Sequence, residues 1–273
     1  MFIRTVVGVM LVGLLAAVLF FDGLFRTLAF TAFALMSVHE MKGMLLSAGV
    51  NTRSSVFAYV YAAGFYASAQ WLGVEYSLAL LAACVIGTIV QSIFDERGSA
   101  AGTLYSLSVF VYPLMSFVFL MLLCHIKDRG LSMTGLLLTF AGPLAGDTLA
   151  YFIGVLFGKR PLCPRLSPKK TVEGAIAGVC GGALGGVITY YVQSLWGGTV
   201  GLLPLALIGL CLGALGQTGD LFASSLKRWA NVKDFGIIFP GHGGVLDRID
   251  SVLVCVPVVY LCFYLLFGLR IGI

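Results

Sequence analysis

Long apolar runs separated by short polar clusters recur along the whole chain. They lie approximately at Val6–Phe21, Thr27–Val38, Val56–Leu72, Ser77–Ile93, Leu104–His125, Ser132–Phe157, Ala175–Trp196, Gly201–Leu221 and Val252–Leu269. A helix needs roughly 17–25 mostly apolar residues to cross a bilayer, and by that criterion the pattern predicts about nine transmembrane helices, the second run being the weakest. The predicted fold class is therefore all-α: a polytopic integral membrane helix bundle.

Composition agrees. Hydrophobic residues make up 59% of the chain, charged residues only 11%, and the mean hydropathy is +1.01, which excludes an ordinary soluble domain. The start, Met-Phe-Ile-Arg, resembles a signal peptide, but Phe20-Phe21-Asp22-Gly23 offers no small-residue cleavage site, so the first run reads as a retained helix. The seven cysteines, Cys84, Cys124, Cys163, Cys180, Cys211, Cys255 and Cys262, show no paired metal spacing and read as reduced and buried.

The distribution of charge sets an orientation. With nine crossings and the N-terminus inside, thirteen of the 17 Lys and Arg residues fall on one side; only Arg26, Lys127, Arg129 and Arg270 fall on the other. The positive-inside bias makes the richer side cytoplasmic. The expected location is an inner (plasma) membrane with both large polar loops in the cytoplasm.

The longest polar interruption in the C-terminal half is Ser224–Asp250. Lys227, Arg228, Lys233 and Arg248 bring fixed positive charge, and Asp234, Asp247 and Asp250 bring hard oxygen ligands. Pro240 to Gly244 form a glycine-rich loop whose backbone can approach an anion closely. Cations, carboxylates and open amides together point to phosphate chemistry.

Other polar residues interrupt the apolar runs. Asp147 lies well inside one, where a carboxylate costs several kcal/mol unless it faces protein, water or a cation. Tyr151 shares its helix face. The alternative for Asp147 is a plain helix–helix hydrogen bond. Glu40, at the end of the second run, reads as an interfacial structural residue or as support for a cytoplasmic cavity; Asp95–Arg97 reads as a solvated loop. Gly174, Gly178, Gly182 and Gly186 recur every four residues, and Gly209 and Gly213 follow, as expected of close helix packing. On a helix, Asp220, Ser224 and Lys227 or Arg228 would share a face.

The segment Ser224–Asp250 resembles the signature of the phosphatidate cytidylyltransferases (CDP-diacylglycerol synthases). Ser224, Leu226, Lys227, Arg228, Lys233, Asp234, Gly236, Pro240, His242, Gly243, Gly244, Val245, Asp247, Arg248, Ile249 and Asp250 fall on it without a gap. A second family pattern is matched by Asp147, Thr148, Ala150, Tyr151, Gly154, Ser167, Pro168, Lys170, Thr171, Glu173 and Gly174. The resemblance implies attack by a phosphatidate oxygen on the α-phosphorus of CTP, giving CDP-diacylglycerol and pyrophosphate.

By the same resemblance, Asp220, Asp247, Lys227, Arg248 and His242 are the catalytic candidates, although the turn position of His242 has a purely conformational alternative. Ser224, Arg228, Lys233, Lys170, Gly243 and Gly244 are candidates for substrate binding; a helix-end hydrogen bond is the alternative for Ser224. Mg2+, with room for a second cation, would be held by Asp220 and Asp247 first, then by Asp250 and Asp147, while Asp234 divides between ligation and a loop-fixing ion pair. The expected partners are CTP, phosphatidate and membrane lipid, with no nucleic acid and, by resemblance, a second copy of the chain. Residues 1–126 read as scaffold and 127–273 as the catalytic region. The competing readings are a transporter of an anionic metabolite and a CTP-dependent enzyme acting on another lipid.

Overall fold

The computed structural model describes residues 13, 16–18, 20, 21, 23–50, 56–95, 99–239, 241 and 243–268. Most of the run Val6–Phe21 lies outside the described residues, as do Arg4, Arg53, Glu96, Arg97, Pro240, His242 and Arg270.

Among the described residues the chain is almost entirely helical. The helices are α1 (Leu24–Ser47), α2 (Val56–Trp71), α3 (Val74–Phe94), α4 (Ala100–Val109), α5 (Met115–Cys124), α6 (Arg129–Phe157), α7 (Val172–Val192), α8 (Leu202–Trp229) and α9 (Leu246–Phe267). Six spans of the described residues are long and apolar enough to cross a membrane: Val74–Phe94, Ala100–Cys124, Arg129–Phe157, Val172–Trp196, Leu202–Trp229 and Leu246–Phe267. This is an all-α polytopic membrane protein. Helices α1 and α2, on the second and third predicted runs, are not among the six. At 16 residues α2 is short, and α1 carries Arg26, Glu40 and Lys42.

Two departures from the predicted elements have local causes. The run Leu104–His125 is not one straight helix: a π-helical turn, Phe110–Leu114, with Tyr112 out of helical geometry and Pro113 inside it, separates α4 from α5. Proline cannot donate to the helical ladder and clashes with the preceding turn. The cationic loop after α6 contains a small antiparallel hairpin, β1 (Pro161–Cys163) with β2 (Ser167–Thr171). Pro161, Pro164 and Pro168 discourage a helix there.

The chain forms two compact units, residues 1–121 with 227–248 and 272–273, and residues 122–226 with 249–271. The units are interleaved along the chain, and most of the segment 224–250 falls in the first.

The first unit is built on packed aromatics. Phe65 lies 6.1 Å from Phe117 and 5.8 Å from Tyr61 between ring centroids, and Tyr66 lies 5.3 Å from Phe30. Such rings bury large areas and pack in tilted or edge-on geometry.

In the second unit, glycines set the packing. Gly182 and Gly186 of α7 lie against the backbone of α8 at Gly209, Gly213, Leu205 and Ala206; Gly181 and Gly185 lie against α6 at Ala145 and Ala141. Thus α7 is slotted between two helices by glycines on two faces, and the four-residue repeat meets both, Gly174 lying against Ala150 and Gly154 of α6. Buried hydroxyls satisfy themselves on the preceding turn, as with Thr139 donating to the Gly135 carbonyl at 2.8 Å and Thr189 to the Gly185 carbonyl at 2.9 Å.

Cys84 and Cys255 are buried, but Cys180 and Cys211 are exposed on helix surfaces. In a membrane protein the outward surface is itself apolar, so an apolar run does not imply a buried side chain.

Candidate active site

Helix α8 runs two turns beyond the apolar run that predicted it, ending at Trp229. Asp220, Ser224, Lys227 and Arg228 are therefore all helical. A helix begins again at Leu246, so that Asp247, Arg248 and Asp250 occupy the first turns of α9.

In the first unit, Asp247 is the meeting point. Its Oδ1 accepts from the Lys227 ammonium at 2.7 Å, and its Oδ2 accepts from the backbone N–H of Phe235 at 2.8 Å and of Gly244 at 3.0 Å. The side chains of Lys227 and Asp247 are only 13% and 3% exposed, so water screens the pair little. The Lys227 ammonium also lies over the Phe235 ring, 5.2 Å from its centroid. A charged acceptor on the first turn of a helix gains from the exposed amides there.

The glycines make this possible. Gly243 has φ +78°, a left-handed conformation costly to other residues, and a Cβ there would lie 2.8 Å from Asp247 Oδ2. The N–H of Phe239 donates to the carbonyl of Gly243 at 2.9 Å and closes the turn. The glycine-rich sequence predicts a backbone that approaches an anion closely. The anions that it approaches in the structure are the protein's own carboxylates.

The second of these carboxylates is Glu40, from α1. It is 2% exposed and accepts from the N–H groups of Val245 and Leu246, each at 2.8 Å. A Cβ on Gly236 or Gly244 would strike its carboxylate. Glu40 lies outside the six spans, and burial pushes its carboxyl up from the usual range; the Leu246 and Val245 amides pull it down, Asp247 raises it and His39 lowers it, with burial dominant.

Around this core the remaining cations face outward: Arg228, Lys233 and Arg248 are exposed, as is Asp234. Ser224 is half-buried. His242 lies outside the described residues.

The second unit holds another group of charges. The Asp220 carboxylate forms an ion pair with the Lys170 ammonium, their side chains being 30% and 26% exposed. Asp147 is exposed, feels the charges of both Lys170 and Asp220, and its Oδ2 accepts from the Ser251 hydroxyl at 3.3 Å. The hairpin delivers Lys170 here. Glu173 accepts from the N–H groups of Lys159 at 3.0 Å and Arg160 at 3.3 Å, and the Thr171 hydroxyl caps α7 by accepting from Gly174 N–H at 3.2 Å. Asp250 is 7% exposed, and its Oδ1 accepts from Ser251 N–H at 2.8 Å.

Among the described residues, no three of His, Cys, Asp and Glu gather to hold a metal ion. Magnesium needs no such cage, because it takes one or two carboxylates and completes its shell with substrate phosphate and water. Accessible Asp147 and Asp220, each influenced by Lys170, fit that modest donor set. In Asp247, Oδ2 already accepts two amides, which leaves Oδ1 as the oxygen with remaining capacity.

Comparison with known proteins adds the family. Residues 2–266 match the model of the cytidylyltransferase family. A protein of Aquifex aeolicus named phosphatidate cytidylyltransferase is 35% identical over 197 residues, covering 72% of this chain and 71% of that protein. One of Thermotoga maritima with the same name is 31% identical over 232 residues, covering 82% and 83%. A third, of Bacillus subtilis and also so named, is 46% identical over 114 residues, covering 42% and 41%.

Proposed function

The chain belongs to the cytidylyltransferase family, and on that footing we propose that it is a phosphatidate cytidylyltransferase, an integral membrane enzyme that transfers CMP from CTP to phosphatidate. A phosphatidate oxygen attacks the α-phosphorus of CTP, a new O–P bond forms, and the bond to the β-phosphate oxygen breaks to release pyrophosphate. No covalent enzyme intermediate is needed. The observation that carries the reading is the meeting of Lys227, Phe235, Gly244 and Asp247 around one buried carboxylate, since all four positions belong to the stretch that resembles the family signature.

The work left to the protein is to hold two polyanions together and to offset the charge that develops on the leaving pyrophosphate. Exposed Arg228, Lys233 and Arg248 grip phosphates, Arg in bidentate fashion and Lys as a point charge. Lys170 and Ser224 assist. Lys227, held by Asp247, presents positive charge without its usual freedom. Gly243 and Gly244 serve by shaping the turn, and His242 donates to a phosphate oxygen or moves a proton. The candidates to hold Mg2+ are Asp220, Asp247, Asp147 and Asp250, and the ion would supply charge neutralisation on the phosphates.

We assign the nine-crossing topology with a cytoplasmic N-terminus on the charge distribution; labelling of residues 234–241 from the periplasmic side alone would reverse it. A homodimer in the inner membrane is proposed on resemblance, and a detergent-corrected mass of one chain would remove it.

The test is to incubate purified protein in detergent with labelled CTP, phosphatidate and magnesium. Lipid-linked CMP and pyrophosphate are expected. Folded Asp220→Asn and Asp247→Asn are each expected to turn over at least about a hundredfold more slowly. Well-folded wild-type protein that makes neither product would overturn the reading, and uptake of an anion by proteoliposomes would replace it with transport.

A further inference from the structure

Helix α9 starts at Leu246. The residue before Leu246 is Val245, which has no side-chain oxygen, and the residues before it form the glycine turn. Helix starts ordinarily satisfy their orphan amides with a Ser, Thr, Asp or Asn beside them. Here the acceptor comes from another helix: Glu40 takes the Val245 and Leu246 amides across 205 and 206 residues of sequence.

The three consecutive amides Gly244, Val245 and Leu246 are thus all claimed by carboxylates, the first by Asp247 and the next two by Glu40. Gly236 and Gly244, on the two arms of the signature loop, both close on Glu40 with no room for a Cβ. At 2% exposure the carboxylate is shut off from solvent, so it acts through the residues it holds.

We infer that Glu40 is a positioning residue for the transfer reaction: by clamping the first turn of α9 from α1, it fixes where Asp247 and Arg248 stand. The inference rests on the transferase reading. Its physical content is that the start of α9 is referred to α1 rather than to its own glycine turn. A glycine-rich turn would otherwise let that helix end wander by the fraction of an ångström that spoils phosphoryl transfer.

The test uses the full-length protein in detergent. Glu40→Gln keeps the size of the side chain, but its NH2 faces one of the two amide donors, so at most one hydrogen bond survives. At a temperature well below both melting points, kcat is expected to fall about tenfold or more, with KM for CTP and for phosphatidate within about twofold of wild type. Hydrogen exchange is expected to speed up about tenfold over residues 243–250, with the aromatic core of α2 unchanged. Gly244→Ala, which drives a methyl group into the same carboxylate, is expected to give the same split and serves if Glu40→Gln does not fold.

Unchanged kcat in either folded variant overturns the inference. So does a rise in KM alone, which would indicate binding, or uniformly faster exchange throughout the unit, which would indicate only a structural prop. An inactive wild-type protein would remove the transferase reading and this inference together; an active one with normal Glu40→Gln removes this inference alone.

Discussion

Asp247 and Lys227 should not be energetically equivalent partners, and their inequality can be worked from the geometry. At 2.7 Å and an effective dielectric constant near 20, the direct attraction between them is about 6 kcal/mol, much of which is offset by the cost of desolvating both groups. Asp247→Asn fails in either rotamer. With its oxygen towards Lys227, its NH2 meets the N–H groups of Phe235 and Gly244; turned over, its NH2 meets the ammonium. A donor faces a donor both ways, and a buried cation loses its counter-charge, so the cost is expected to be about 3–5 kcal/mol.

Lys227→Met leaves the carboxylate with two backbone donors at a helix N-terminus and leaves the methionine packed over Phe235, so it should cost at least about 1 kcal/mol less. Thermal unfolding in detergent reads the difference. Asp247→Asn should lower Tm by about 6–20 °C at ~2–4 °C per kcal/mol. The double variant should be more stable than the sum of the singles predicts, by about 1 kcal/mol or more. If Lys227→Met were the more damaging change, or Asp247→Asn shifted Tm by less than about 2 °C, the role given to the two amides would be wrong.

Two further expectations follow from contacts in the second unit. Gly182→Ala should lower stability by about 1–3 kcal/mol, because its methyl group would meet the backbone of Gly209 and Gly213, whereas Gly201→Ala should cost less, because a methyl group there meets only the Pro204 side chain at 3.6 Å; comparative melting curves decide between them. Lys170→Met should raise KM for CTP about tenfold in steady-state assays; an unchanged KM would remove Lys170 from the phosphate site.

The bilayer character and helical class of this chain follow from its hydropathy alone, because about twenty consecutive apolar residues have few ways to satisfy their backbone except as a membrane helix. The residue types gathered in 224–250 likewise announced phosphate chemistry, and the glycines announced a backbone in close contact with an anion. Which anion was not legible. Glu40 stood out only as a polar residue at the end of a run, and no local periodicity ties it to amides more than 200 residues away.

The break at Pro113 was readable in principle, since proline ends helical ladders, but the strong apolarity on both sides masked it. Similarly, the glycine repeat in α7 disclosed close packing but not its partners, since Gly174 meets α6 while Gly182 and Gly186 meet α8, and Gly181 and Gly185 lie outside the repeat. Hydropathy, spacing and residue chemistry are sums over neighbours in the chain and can be read from it. The destination of a hydrogen bond depends on which distant backbone arrives beside a side chain, and only the folded chain decides that.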